Sequence, residues 1–192
     1  ALSPTGDWYV VREWPDQSYP PYWSIRSPKI DGKPPTFDAY AEVLRKVEDT
    51  LPGGPSRVLW REMDPNMGMS PAAGSGYDTY VRAMAARGYH FRADVYDDIE
   101  QGIQAVRELV AWRPKEPLSE LNRPRLKVAS SCRNTIWSFH NLIHKEWANE
   151  ARAAADPRPA VEEAGKDQYD CLRYLAMRKP RYHPWTTARS SL

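Results

Sequence analysis

Asp64 is the residue whose position in the sequence most favours a chemical role. It follows residues 57–63, Arg-Val-Leu-Trp-Arg-Glu-Met, which we interpret as a buried strand. It precedes Pro65, which predicts that the chain leaves the strand there. Ligands of open α/β sheets bind beyond the carboxyl ends of the strands. A carboxylate at this place is therefore a candidate metal ligand. The alternative is an aspartate that only begins a turn before proline, which is common.

A second group of carboxylates lies near the C-terminus. Asp167 and Asp170 are three residues apart, so both project from one face of a helix predicted for residues 166–177. The helix macrodipole favours an acid at position 167, but its benefit fades one turn later at Asp170. With Asp64 these oxygen ligands suit Mg²⁺ or Mn²⁺, ions that activate water and stabilise the leaving oxygen in phosphodiester cleavage.

Charge is distributed unevenly along the chain. Residues 171–192 contain five cationic side chains and no acid, whereas the whole chain has a formal charge of +2, so residues 1–170 carry −3. A basic tail on an acidic body is typical of a phosphate-binding patch beside a metal site. The alternative is a tail that only keeps the protein soluble. The cations that we predict to contact phosphates are Arg173, Arg178, Lys179 and Arg181.

Other motifs favour no further chemistry. No Gly-Lys-Ser/Thr sequence occurs, so we expect no ATP site of the P-loop type. His140 and His144 are four residues apart, and we interpret them as a surface pair rather than as zinc ligands. Cys132 and Cys171 are the only cysteines, which favours a reducing, intracellular setting over a disulfide framework.

Strands and helices alternate in the segments that must position these acids. Strands are predicted for residues 8–14, 57–63, 89–93 and 126–129, by their β-branched and apolar content. The glycine-rich residues 66–76 predict a loop, and the proline-rich residues 16–35 an irregular excursion. Helices are predicted from the cap Thr36 to about 51, from the end of the glycine-rich loop to about 87, and from the cap Asp97 to 110 with Glu100 in a capping box. Two more are predicted over 132–147 and over 166–177. The pattern predicts an α/β sheet with helices packed on it.

Length and composition favour one soluble domain covering residues 1–192. The length suits a single hydrophobic core, and no apolar run approaches the roughly 20 residues that span a bilayer. The N-terminus lacks a signal-peptide pattern. Because the sequence begins with Ala1 rather than Met, we expect it to be a fragment or a processed chain.

Three segments resemble the nuclease half of phage terminase large subunits. They are Trp-Tyr-Val-Val-Arg-Glu-Trp-Pro at residues 8–15, Met-Asp-Pro-Asn at 63–66 with its Gly/Ser loop, and Lys-Asp-x-x-Asp-x-Leu-Arg-Tyr at 166–174. The last motif is the most specific, and the three together span nearly the whole chain. The resemblance implies an RNase H-like mixed sheet flanked by helices. The family's first strand and its ATPase domain are absent from this sequence.

The resemblance also implies a function and a set of site residues. The family cuts concatemeric double-stranded DNA with two metal ions, Mg²⁺ or Mn²⁺, during viral genome packaging in the cytoplasm of the infected bacterium. Asp64 and Asp170 match two of its catalytic metal ligands, and Asp167 matches an accessory position. The first ligand would lie on the strand before Trp8, upstream of Ala1. Implied partners are DNA, the portal protein and the small terminase subunit.

Two alternatives stay open. One is a resolvase- or transposase-like nuclease of the same fold, against which the Asp-x-Leu-Arg-Tyr motif at residues 170–174 argues. The other is a non-catalytic domain that docks on DNA or on a portal ring through its basic tail. Because the first ligand is missing, we expect residues 1–192 alone to show little or no nuclease activity. If they do cut DNA, Glu13 and Glu62 are the next candidates for that ligand.

Overall fold

A computed structural model of the chain describes residues 1–16, 29–30, 32–72, 76–95, 98–141 and 165–184. Within these ranges the protein is a mixed α/β structure with short parallel strands. The elements, in chain order, are β1 (Trp8–Val10), α1 (Phe37–Asp49), β2 (Arg61–Glu62), α2 (Pro65–Met69), α3 (Tyr80–Ala85), β3 (Phe91–Arg92), α4 (Ile99–Val110), β4 (Leu126–Val128), α5 (Arg133–His140) and α6 (Asp167–Met177). A 3₁₀ turn at Pro55–Arg57 precedes β2.

The four strands form two parallel pairs. β1 lies beside β4, with Trp8 opposite Leu126, and β2 lies beside β3, with Arg61 opposite Phe91. Parallel pairs joined through helices confirm the predicted α/β class. The strands are shorter than predicted: only two or three residues of each predicted segment pair with a neighbouring strand.

The outer edge of β1 is partly covered. The Tyr9 amide donates to the carbonyl of Ala1 at 2.8 Å, and Leu2 forms an antiparallel bridge with Trp8. The Trp8 amide donates instead to the carbonyl oxygen of Arg125 at 2.8 Å, on the side of β4. Around residues 8 and 9, β1 therefore has backbone neighbours on both sides.

Side-chain caps fix the beginnings of several helices. The Thr36 hydroxyl accepts the amide of Ala39 at 3.2 Å, as the sequence predicted for α1. Helix α4 begins one residue later than predicted, since the carboxylate of Asp98 accepts the amide of Gln101 at 2.8 Å. Asp97, the cap that we predicted, lies outside the described residues.

A small core lies where α6 packs on α4. Val106 of α4 and Tyr169 and Ala176 of α6 are buried there, and the ring of Phe139 from α5 meets Tyr169 edge-on at 5.4 Å. The side chains packed around these three are Trp8, Ile103, Ala105, Leu109 and Phe139. The apolar stripe of α4, formed by Ile99, Ile103, Val106 and Val110, is buried only in its middle. Its two ends, Ile99 and Val110, are 47% and 37% exposed.

Two predictions concern residues beyond the described ranges. The helix predicted for 132–147 is described as far as His140, and His144 lies outside. Most of the proline-rich stretch 16–35 also lies outside. No helix among the described residues is long and apolar enough to cross a membrane.

Candidate functional site

Asp64 lies at the carboxyl end of β2, as predicted, and it is also the N-cap of α2. Its Oδ1 accepts the amide of Met67 at 2.7 Å, and Pro65 occupies the first helical position. The glycine-rich composition of residues 66–76 predicted a loop, and this is wrong for residues 66–69, which belong to α2. An aspartate followed by proline is a known signal for a helix start. The short helix α2 also needs Gly68, because a Cβ there would overlap the Cβ of Ala93 beside β3.

Helix α6 carries the other two predicted acids. Asp170 is partly buried and pairs with Arg173 Nε at 3.0 Å and Lys166 Nζ at 3.4 Å. Asp167 is exposed on the first turn. Desolvation, followed by the negative charge of Asp170, raises the pKa of the Asp167 carboxyl. The two acids therefore influence each other electrostatically, as expected for one face of one helical turn.

A hydrogen bond joins α6 to the end of β2. The phenolic hydroxyl of Tyr174 donates to Asp64 Oδ2, so the helix that carries Asp167 and Asp170 is fastened beside Asp64. Desolvation by the surrounding protein raises the pKa of the Cys171 thiol to about 11, and the charges of Asp167, Asp170 and Asp64 act in the same direction. The thiol therefore lies near all three acids.

The three acids lie around Cys171 but do not form a ready-made ligand cluster. Among the described residues, no group of three or more His, Cys, Asp or Glu side chains is arranged to hold a metal ion. Instead, Asp64 accepts a hydrogen bond from Tyr174, and Asp170 forms an ion pair with Arg173.

Arg173, predicted to contact phosphates, is buried instead. Only 3% of the residue is exposed, and its guanidinium lies 4.4 Å from the centroid of the Tyr174 ring as well as pairing with Asp170. Its stem packs against Gly102 of α4, where any Cβ would overlap Arg173 Cγ. A buried, paired guanidinium is not offered to a phosphate, so its role is structural.

Arg178 is also committed within the protein. Its guanidinium binds both oxygens of Glu62, at 2.8 and 3.0 Å, and also Asp94. Hydrogen bonds to Glu62 raise the pKa of this guanidinium, and Asp94 contributes in the same direction. Arg178 therefore ties the end of α6 to the carboxyl ends of β2 and β3. Of the predicted phosphate ligands, Lys179 and Arg181 remain exposed.

Glu13 has a role that the sequence did not reveal. Its carboxylate accepts the backbone amides of Asn134 and Thr135, each at 2.8 Å, and the Thr135 hydroxyl at 2.8 Å. It thus caps α5 from a segment more than a hundred residues away, and no pattern within α5 signals this. Glu62 is likewise occupied by Arg178. Both residues that we named as substitutes for a first metal ligand therefore have structural partners.

Comparisons of the chain with protein-family models, with curated proteins and with solved structures find no match.

Proposed function

We propose that this chain is the nuclease part of a DNA-packaging enzyme, a metal-dependent endonuclease of RNase H-like fold that cuts concatemeric double-stranded DNA. The observation that carries the proposal is the bond from Tyr174 to Asp64. It brings the segments that carry Asp64 and Asp170, 106 residues apart in sequence, into contact. This is the first requirement of a shared metal site, and strand or helix patterns alone do not produce it.

The donor set fits Mg²⁺ or Mn²⁺ in kind. Asp64 and Asp170 offer hard carboxylate oxygens, and both residues are only partly buried. Mg²⁺ is usually held by one or two carboxylates with waters completing its shell. Asp64 and Asp170 would hold the ions, with Asp167 beside them. When bound, such ions activate water and stabilise the leaving oxygen of a phosphodiester. The resemblance assigns a further ligand to a strand before residue 1.

The cations already present set a condition on metal binding. Lys166 and Arg173 neutralise Asp170 in the absence of an ion. Arg173 is buried, whereas the Lys166 side chain, at the helix start, is 20% exposed. An ion held by Asp170 would have to share this carboxylate with Arg173 and Lys166 or replace one of these contacts.

The proposed partners follow from the resemblance. They are double-stranded DNA, an ATPase domain, a portal protein and a small terminase subunit, in the cytoplasm of an infected bacterium. Exposed Lys179 and Arg181, directly after α6, supply positive charge on the chain segment that leaves the acid-bearing helix, as expected for a contact to DNA phosphates.

Nicking of supercoiled plasmid by the full-length protein tests the proposal. We expect cleavage with Mn²⁺, none with EDTA, and loss of at least about a hundredfold in rate for Asp170→Asn, because removing charge from a metal ligand weakens both binding and catalysis. Asp78→Asn is the matched control, since Asp78 also pairs with an arginine of its own helix region but lies on the exposed start of α3. Cleavage that survives EDTA or Asp170→Asn would refute the proposal.

A non-catalytic docking domain is the second candidate, and one observation favours it. Both oxygens of Asp64 and both oxygens of Asp170 already have partners within the protein. If the two acids serve only to make these bonds, Asp170→Asn will bind DNA like the wild type. Neither the variant nor the wild type will then bind Mn²⁺. Isothermal titration calorimetry with Mn²⁺ separates the two candidates.

A further inference from the structure

Tyr174 is placed to hold the carboxylate of Asp64 in one orientation. The residue is 5% exposed, so its ring cannot move without repacking, and its hydroxyl donates to Asp64 Oδ2. The other oxygen, Oδ1, is held by the amide of Met67. A carboxylate held from both sides keeps its remaining lone pairs pointing in fixed directions, which is what an orienting partner does for a metal ligand.

Arg173 holds Asp170 in a comparable way. Its Nε donates to Asp170 Oδ1 at 3.0 Å, and its guanidinium stacks on the ring of the next residue, Tyr174. The stack fixes the tyrosine ring and the arginine relative to each other, a cation–π contact that gains strength from burial. Gly102 on α4 leaves the space that the arginine stem occupies. The two supports are therefore one packed unit.

We propose that Arg173 and Tyr174 are positioning residues, each fixing one of the two acids, so that Asp64 and Asp170 keep a constant relative geometry for a divalent cation. The inference rests on the proposed function and adds to it the residues that orient the site. It also gives a physical meaning to the Leu-Arg-Tyr ending of the last motif: adjacent residues on a helix point in different directions, and here each reaches a different acid.

Tyr174→Phe removes the hydroxyl and keeps the ring, so it tests the orientation of Asp64 alone. Loss of such an orienting partner typically weakens metal affinity or activity about 10–100-fold. In the full-length protein we expect the Mn²⁺ dissociation constant from titration calorimetry to rise about tenfold. The Mn²⁺ concentration for half-maximal plasmid nicking should rise in parallel. The KM for DNA should not change, and saturating Mn²⁺ should restore most of kcat, results that a merely structural role would not produce.

Tyr169→Phe is the matched control. Tyr169 lies on the same helix and is equally buried at 5%, but its ring packs on Phe139 in the core. Its variant should keep the Mn²⁺ affinity of the wild type. If Tyr174→Phe proves unfolded by its melting temperature, Arg173→Lys is measured in the same assays, because it alters the support of Asp170 and leaves the hydroxyl of Tyr174 in place.

The outcomes separate this inference from the proposed function. Wild-type cleavage together with unchanged Mn²⁺ affinity in Tyr174→Phe, or in Arg173→Lys where that variant replaces it, overturns the positioning role alone. Mn²⁺ binding that weakens in the variant, in a protein that does not cut DNA, supports the positioning role and overturns the nuclease. A wild-type protein that neither cuts nor binds Mn²⁺ overturns both.

Discussion

A single carboxylate, Asp64, carries two demands at the residue scale. As the N-cap of α2 it must present one oxygen to the amide of Met67, and as a candidate metal ligand it must stay charged. Asparagine meets the first demand nearly as well as aspartate does, but it is neutral and donates through its amide. The two demands can therefore be separated by one substitution.

We predict that Asp64→Asn and Asp64→Ala differ in stability but not in activity. The alanine variant loses the cap and should unfold with a free energy lower by about 1 kcal/mol, whereas the asparagine variant should stay within about 0.5 kcal/mol of the wild type. Its amide can also donate to the hydroxyl of Tyr174. Both variants should abolish Mn²⁺-dependent nicking. Urea unfolding and the plasmid assay measure the two effects.

Thr36→Ala is the control for capping alone. Thr36 caps α1, so this variant should lose about 1 kcal/mol of stability and keep its nicking rate. Full activity in Asp64→Asn would mean that the residue is only a cap.

At the scale of elements, Arg178 joins the end of α6 to β2 and β3. The side chain of Glu62 is 4% exposed, so removing its partner would leave a buried carboxylate unpaired. Breaking a buried ion pair from one side typically costs 3–5 kcal/mol, and the exposure of Asp94 lowers this estimate. We predict that Arg178→Met lowers the free energy of unfolding by about 3 kcal/mol, measured in urea.

A double variant checks the cause of this loss. Glu62→Gln combined with Arg178→Met should recover part of the stability, because the buried charge is then gone. Arg82→Met, which breaks the exposed pair with Asp78, should cost under about 1 kcal/mol. A loss of that small size for Arg178→Met would show that the α6–strand connection does not depend on the ion pair.

The β1–β4 pair has its own electrostatic connection, between Asp7 and Arg123. Asp7 precedes β1 and is buried. Its two carboxylate oxygens accept hydrogen bonds from the two terminal nitrogens of Arg123 at 2.9 and 3.1 Å, and Lys127 Nζ lies 3.3 Å from Oδ1. These cations, Arg123 above all, lower the pKa of the Asp7 carboxyl against the opposing effect of desolvation. A carboxyl whose folded pKa is lowered stabilises the fold above its unfolded pKa, and this stability is lost as the pH falls through the folded pKa.

We predict that Asp7→Asn lowers the melting temperature at pH 7 and that the difference shrinks as the pH falls below about 4, where the unfolded carboxyl protonates. Circular dichroism melts at pH 7, 4 and 2.5 measure this. The exposed Asp49→Asn on α1 is the control and should show a smaller difference at pH 7. A difference between Asp7→Asn and the wild type that does not depend on pH would contradict the charge interaction.

At the scale of the whole molecule, the basic segment after α6 is the part that we propose to contact DNA. Arg173 and Arg178 pair with acids of the fold, so Lys179 and Arg181 are the cations in the described part of this segment that we expect to contact phosphates. Replacing both with alanine should weaken DNA binding and flatten the slope of log affinity against log salt by about 1.8, because each phosphate contact contributes about 0.9. Fluorescence anisotropy at several salt concentrations measures the slope.

The control removes the same charge from another surface. Arg113 and Lys115 are exposed in the loop between α4 and β4, and their double alanine variant should keep the slope of the wild type. If both variants change the slope equally, the DNA contact is spread over the surface and the segment after α6 is only a solubilising tail.

Local patterns were enough for much of the secondary structure. The Thr36 cap, the end of β2 at Asp64 and the helix that carries Asp167 and Asp170 follow from neighbours within four residues in the sequence, because capping and helical spacing are short-range effects. The same range of interaction explains the one helix start that was present but missed, Asp64 followed by Pro65. Strand ends were less predictable, since a strand ends where its partner does.

Tertiary structure alone decided which charges are free. Arg173 looks like a surface cation in a basic tail, yet the missing Cβ of Gly102 on another helix lets it pack inside. Arg178 meets Glu62, and Glu13 meets the start of α5, each across more than a hundred residues. A charge is offered to DNA or to a metal ion only if no opposite group of the fold reaches it first. That depends on the packing of distant elements, which the periodicity of a single segment does not contain.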